Sequence, residues 1–149
     1  SHFAPAALMD AIEVYRRTFR PSPYLERPHL MLGVNVVAAA TDAEARFLLT
    51  SLQQAFVNLR SGHPTRLPPP VEGFAEQLSP RYTAMLSDVL ACAAVGSPDT
   101  VRRQLQALVE RTAPDELIVT AQIHDHAARL RSFELAAEVG AALVSPRSS

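Results

Sequence analysis

The chain has 149 residues, 48% hydrophobic and 19% charged, with a formal net charge of -1, which is enough material for the core of one domain. Every one of its 14 basic residues is arginine, and without lysine no pyridoxal-phosphate aldimine, lysine Schiff base or P-loop lysine can form. The near-neutral charge argues against a nucleic-acid partner, no apolar run reaches the roughly 18 residues of a membrane span, and the single cysteine, Cys92, excludes an internal disulfide and fits a reducing, cytoplasmic location.

In chain order, Pro5 opens a helix over residues 6–20, with Leu8, Ile12, Tyr15 and Phe19 on one face and Pro21 and Pro23 as its stop. Residues 30–38 are almost continuously apolar and β-branched, the pattern of a parallel strand buried on both faces, with Asn35 as its one polar interruption. Thr41 and Glu44 then form a capping box, and a long helix follows to Arg60. Residues 61–80 hold five of the 12 prolines and read as an extended loop within one domain. Ser79-Pro80 starts a helix to Ala91, and Ser97-Pro98 starts another to Arg111, with Val101, Leu105, Leu108 and Val109 as its apolar stripe. Residues 115–123 repeat the buried-strand pattern. A last helix carries Leu130, Phe133 and Ala137, Gly140 marks its end, and residues 141–149 form a fraying tail. Strands alternating with helices give a right-handed parallel α/β arrangement, yet two full strands are too few for a parallel sheet that stands alone.

Glycine-rich phosphate loops, nucleophile elbows and zinc-protease signatures are missing from the sequence. His124-Asp125-His126 follows a buried strand, where α/β sheets place ligands. Histidines two apart can share a metal, but no third ligand accompanies them, so Asp125 reads first as a helix cap and the metal expectation is none. Val95-Gly96-Ser97-Pro98 offers backbone N–H groups for an anion, although plain capping explains it equally well. Two reversals through the helices bring that turn to the same end of the sheet as Ala40 and His124, and leave the proline-rich loop at the other end unless it wraps round. Arg16, Arg17 and Arg20 read as a solvated helix edge.

Several runs occur here in a particular order: Ser1-His2-Phe3-Ala4-Pro5, Tyr15-Arg16-Arg17, Gly33-Val34-Asn35-Val36 with Ala40-Thr41-Asp42, Val95-Gly96-Ser97-Pro98, Asp115-Glu116-Leu117, and Asp125-His126-Ala127-Ala128-Arg129-Leu130-Arg131-Ser132. In this order the chain resembles the luciferase-like flavin-dependent oxidoreductases along almost its whole length. The resemblance implies a (β/α)8 barrel, which typically needs about 250 residues. It also implies reduced FMN, or a deazaflavin, as cofactor and a small organic substrate. Only the carboxyl-terminal portion is matched: Ser1-His2-Phe3 as the end of the sixth strand, residues 30–38 as the seventh and 115–123 as the eighth. The expected fold is thus a partial barrel of about three βα units with a helical insertion. Ser1, His2, Phe3, Gln122 and His124 are the expected flavin- or substrate-facing residues, His2 and His124 being the candidates for proton transfer; no phosphate-binding residue carries over. Two readings follow. In one, the parent is a flavin-dependent monooxygenase or reductase; in the other, the 149 residues alone are a catalytically silent module that pairs its strand edges with another copy, as a homo-oligomer, or with the missing barrel half.

Overall fold

A computed structural model describes residues 7–144. The elements, in order, are α1 (Leu8–Thr18), β1 (Met31–Ala38), α2 (Asp42–Arg60), a 3-10 turn at Ala75–Gln77, α3 (Pro80–Val89), β2 (Ala94–Gly96), α4 (Pro98–Thr112), β3 (Glu116–Thr120) and α5 (His126–Ala141). The three strands form one parallel sheet in the order β2-β1-β3. From β1 the chain steps to one edge through α2 and α3, then crosses to the other edge through α4. Two crossovers of the same hand in opposite directions must pass on opposite faces of the sheet.

The burial follows that rule. On one face, Leu32, Val34, Val36 and Ala38 of β1 pack with Leu8 and Ile12 of α1, Val101, Leu105 and Leu108 of α4, and Leu135 and Val139 of α5. On the other, Val37 and Ala39 pack with Ala45, Leu48, Leu49 and Leu52 of α2 and with Ala121 and Ile123. The period-2 alternation of β1 therefore feeds two clusters, which is why its sequence is apolar at nearly every position. Ser132, 1% exposed on α5, accepts a hydrogen bond from Ala38 N (2.9 Å) and fixes that helix to the end of the central strand.

The expected elements appear with four differences. A third strand, β2, is present that is too short to show a pattern; it is defined only by its register against Val36–Ala38. β3 stops at Thr120 rather than reaching residue 123, and its outward side chains are open, with Glu116 exposed and Ile118 48% exposed, so it is not a strand buried on both faces. Gly140 lies inside α5, whose C-cap is Ala142. Arg16 is half-buried, and its guanidinium donates to Thr112 O and Ala113 O at 2.7 Å each, capping α4 where a solvated edge was expected.

The proline-rich loop does wrap round. Gln54 Nε2 donates to Pro69 O (2.9 Å) and Val71 N donates to Thr50 Oγ1 (2.9 Å), so residues 69–76 run back along α2 toward its N-terminus. Among the described residues no helix is long and apolar enough to cross a membrane.

Candidate functional site

All three strands are parallel, so their carboxyl ends share one end of the sheet, and each is followed by a helix start. β1 and β2 end level, with Ala38 paired to Gly96, whereas Thr120 pairs with Asn35 and residues 121–124 continue beyond it. This end gathers the N-termini of α2, α4 and α5, and a pocket of about 230 Å³ opens among them, lined by Ala38, Ala40, Pro98, Ala128 and Arg131 with others. Ala40, the Gly96-Ser97 turn and His124 thus lie at one end, as the count of chain reversals requires.

The helix starts are already satisfied from within. At α2, Thr41 Oγ1 accepts from Glu44 N (3.1 Å), and Glu44 Oε2 reaches back to Ala40 N (3.2 Å), one residue before the cap. At α5, Asp125 Oδ1 accepts from Ala128 N (2.7 Å), which settles Asp125 as the cap of that helix. His126 Nδ1 meets the guanidinium of Arg129 at 2.8 Å, and His124 is exposed. Among the described residues no three of His, Cys, Asp and Glu gather as a metal site.

α4 is filled in a way that local reading missed. Asp42 Oδ1 accepts from Ser97 N at 2.6 Å and Asp42 Oδ2 accepts from Thr100 Oγ1 at 3.2 Å, so a carboxylate from the start of α2 occupies the anion position at the start of α4. Ser97 N is therefore not open to a ligand. The side chains that would reveal this are 55 residues apart, and Asp42 alone looks like a first-turn acid stabilised by its own helix dipole. Gly96 is the third member: its φ is +149°, and a Cβ there would lie 2.6 Å from Asp42 Oδ1 and 2.6 Å from Thr100 Cγ2.

The hydrogen bonds from Ser97 and Thr100 hold the Asp42 carboxyl below the usual aspartate range. A depressed folded-state pKa adds stability that is present above the unfolded-state value and is lost as pH falls through the folded-state value. Asp42→Asn should accordingly unfold at a lower temperature than the parent at neutral pH, with the gap closing as the solution is acidified past the Asp42 titration. Thermal melts across an acid series check this; a gap that stays constant would show that the carboxylate charge is irrelevant.

Of the five sequence-predicted site residues, Gln122 is half-buried and His124 exposed beyond β3, and neither lines the 230 Å³ pocket. Ser1, His2 and Phe3 lie outside the described residues. A larger pocket, about 640 Å³, lies between α2 and the returning loop, lined by Phe47, Gln53, Val71 and Phe74 among others. It is built by the wrapped loop, and no local sequence signal announces it.

No family model matches the chain. It is 45% identical over 139 residues to a luciferase-like monooxygenase of Escherichia coli K12, across 93% of this chain and 42% of that protein. It is 41% identical to the uncharacterized protein YvbT of Bacillus subtilis 168, across 93% of this chain and 41% of that one. The crystal structure of apo-MsnO8 superposes with a TM-score of 0.81 at 35% identity, covering 95% of this chain and 43% of that one. The chain thus spans about two fifths of the length of the relatives it matches. The identity across nearly all of this chain, with the same fold in a solved structure, supports a luciferase-like family for these residues.

Proposed function

We propose that this chain is the carboxyl-terminal portion of a flavin-dependent luciferase-like monooxygenase and supplies the last βα units of its (β/α)8 barrel. The complete protein uses reduced FMN to oxygenate a small organic substrate, and the 149 residues alone lack a full active site. The observation that carries this reading is the 45% identity to a luciferase-like monooxygenase across 93% of this chain but 42% of that protein. The common carboxyl end of the three strands supports it, since that is the end at which barrels and open α/β sheets hold ligands.

The described residues do not fit the phosphate of a flavin. The one helix start preceded by a glycine turn, at α4, is occupied by the Asp42 carboxylate, which would repel a phosphate. Anchoring of the cofactor therefore belongs to strands outside this chain, in line with the absence of lysine and of a glycine-rich loop. Gln122 and His124 are assigned to the wall facing flavin or substrate, together with Ser1, His2 and Phe3.

A chimera tests the assignment: residues 6–144 replace the matching segment of the Escherichia coli relative, and oxygen uptake is followed with reduced FMN. The chimera should retain uptake, and His124→Ala should lower it at least about tenfold if that imidazole moves a proton in the reaction. A folded chimera that binds no reduced FMN, beside a parent that does, would overturn the reading.

A further inference from the structure

The helix starts at the carboxyl end of the sheet are satisfied from within, whereas the 640 Å³ cavity beside α2 is not. One wall is a stripe of α2 that includes Phe47, Thr50 and Gln53, spaced by three and turned away from the core residues Ala45, Leu48 and Leu52 of the same helix. The other wall is the returning loop from Val71 to Glu76. That loop is pinned at one end, where Val71 N donates to Thr50 Oγ1 (2.9 Å) and Gln54 Nε2 donates to Pro69 O (2.9 Å). Among the described residues no hydrogen bond or ion pair crosses from residues 72–76 to α2, and the space between them stays open.

Gln53 brings an unmet need to this cavity. Its Oε1 is shut off from solvent and has no hydrogen-bond partner, a state that a buried carbonyl oxygen pays for until an N–H or O–H reaches it. The charges narrow the class of donor. Three carboxylates, Glu44, Glu72 and Glu76, line the cavity against one guanidinium, Arg46, and none of the four forms an ion pair among the described residues. Phe47, 42% exposed, and Phe74 add aromatic rings, whose faces attract cations, and Leu49 and Val71 add aliphatic wall. The volume lies in the range of small-molecule sites, roughly 300–1,000 Å³.

We propose that the cavity between α2 and residues 71–76 binds a small organic ammonium ion with an apolar or aromatic body, its N–H donating to Gln53 Oε1 and its charge balancing the acidic lining. The alternatives each leave something unsatisfied. A carboxylate or phosphate would add negative charge to a lining that already carries an excess of it and would bring Gln53 Oε1 no donor. A purely apolar molecule would fill the space but leave that oxygen unpaired. An ammonium group answers the orphaned acceptor, the charge and the rings together. The inference stands apart from the flavin reading, because both walls come from residues 43–76 and the cavity travels with that stretch of chain.

Isothermal titration calorimetry of the 149-residue chain with phenethylammonium chloride at neutral pH tests it, beside 2-phenylethanol and phenylacetate as neutral and anionic counterparts. The ammonium should bind saturably, and each counterpart at least about tenfold more weakly. Gln53→Leu should weaken the ammonium at least about tenfold, and Gln53→Glu, which places a charge on the same acceptor, should tighten it, both with an unchanged far-UV spectrum. The same titrations on the chimera with the Escherichia coli relative decide the matter if the leucine variant of the chain misfolds, and they show whether the cavity stays open in the longer protein. No saturable binding of the ammonium by either protein would overturn the inference and leave Gln53 Oε1 to a water. Equal binding of phenylacetate, an unchanged Kd for Gln53→Leu, or a site open in the chain but closed in the chimera would each overturn it as well.

Discussion

Replacing Gly96 by alanine should destabilise the chain by about 2–5 kcal/mol, adding backbone strain at positive φ to overpacking in a site with no room. The new Cβ would sit 2.6 Å from Asp42 Oδ1 and within 2.7 Å of two Thr100 carbons. Neither neighbour can retreat cheaply. The Asp42 carboxylate is held by Ser97 N, and Thr100 sits in the first turn of α4, hydrogen-bonded to that same carboxylate. The substitution thus forces apart the starts of α2 and α4 and disturbs the three-residue strand that ends at Gly96. For a chain of this size the loss corresponds to a Tm lower by roughly 5–15 °C. Gly140→Ala is the matched control: that glycine is helical, exposed and has nothing within 4 Å of its Cβ position, so alanine should gain about 0.5–1 kcal/mol. Thermal melts of the two variants should move in opposite directions, and a Gly96→Ala melt within a degree of the parent would contradict the described packing.

The second large effect is expected at Arg16. Its guanidinium donates to the carbonyls of Thr112 and Ala113 at 2.7 Å each, where α4 ends in a left-handed residue, Ala113 at φ +42°. The last carbonyls of a helix lack intrahelical partners and carry the negative end of its dipole, so a cation there both satisfies and neutralises them. Arg16→Met keeps the apolar stem and removes those bonds, and should cost about 2–3 kcal/mol. Part of the gain is offset in the parent, because Arg16 Nε is buried without a hydrogen-bond partner. Ala113→Gly, by contrast, relieves the left-handed strain and should gain about 0.5–1 kcal/mol. Urea unfolding of the two variants reads both signs; a midpoint for Arg16→Met equal to that of the parent would mean that the cap contributes nothing.

These two sites also show what a reading of the sequence reaches. Interactions that close within one turn were legible: the Thr41–Glu44 box, the proline starts at Pro80 and Pro98, and the Asp125 cap all follow from residue types three or four positions apart. β1 was legible because both of its faces are buried and each position reports it. β3 has only one face covered, and its pattern overstated its length. β2, with three residues, has no periodicity to read. Contacts between distant segments were silent, since Asp42 with Ser97 and Arg16 with Thr112 are separated by 55 and 96 residues. Each of those charged side chains has an ordinary local explanation, as a first-turn acid or a helix-edge arginine, and the local explanation hides the tertiary one.

The candidate site was legible to the same extent. The strand order placed Ala40, the Gly96-Ser97 turn and His124 at one end, and the structure agrees. The turn had been open to an anion in sequence, and a side chain from another helix fills it. Gln122 and His124 stand at the expected end, outside the 230 Å³ pocket there.

Titration of the 149-residue chain with FMN and with reduced FMN, followed by flavin fluorescence and absorbance, tests most directly the central proposal that these residues alone carry no complete flavin site. No saturable binding is expected, because the glycine-preceded helix start nearest the strand ends is taken by Asp42 and the proposed reading assigns the cofactor's other anchors to the rest of the barrel. Saturable micromolar binding of either form by the folded chain would contradict the account.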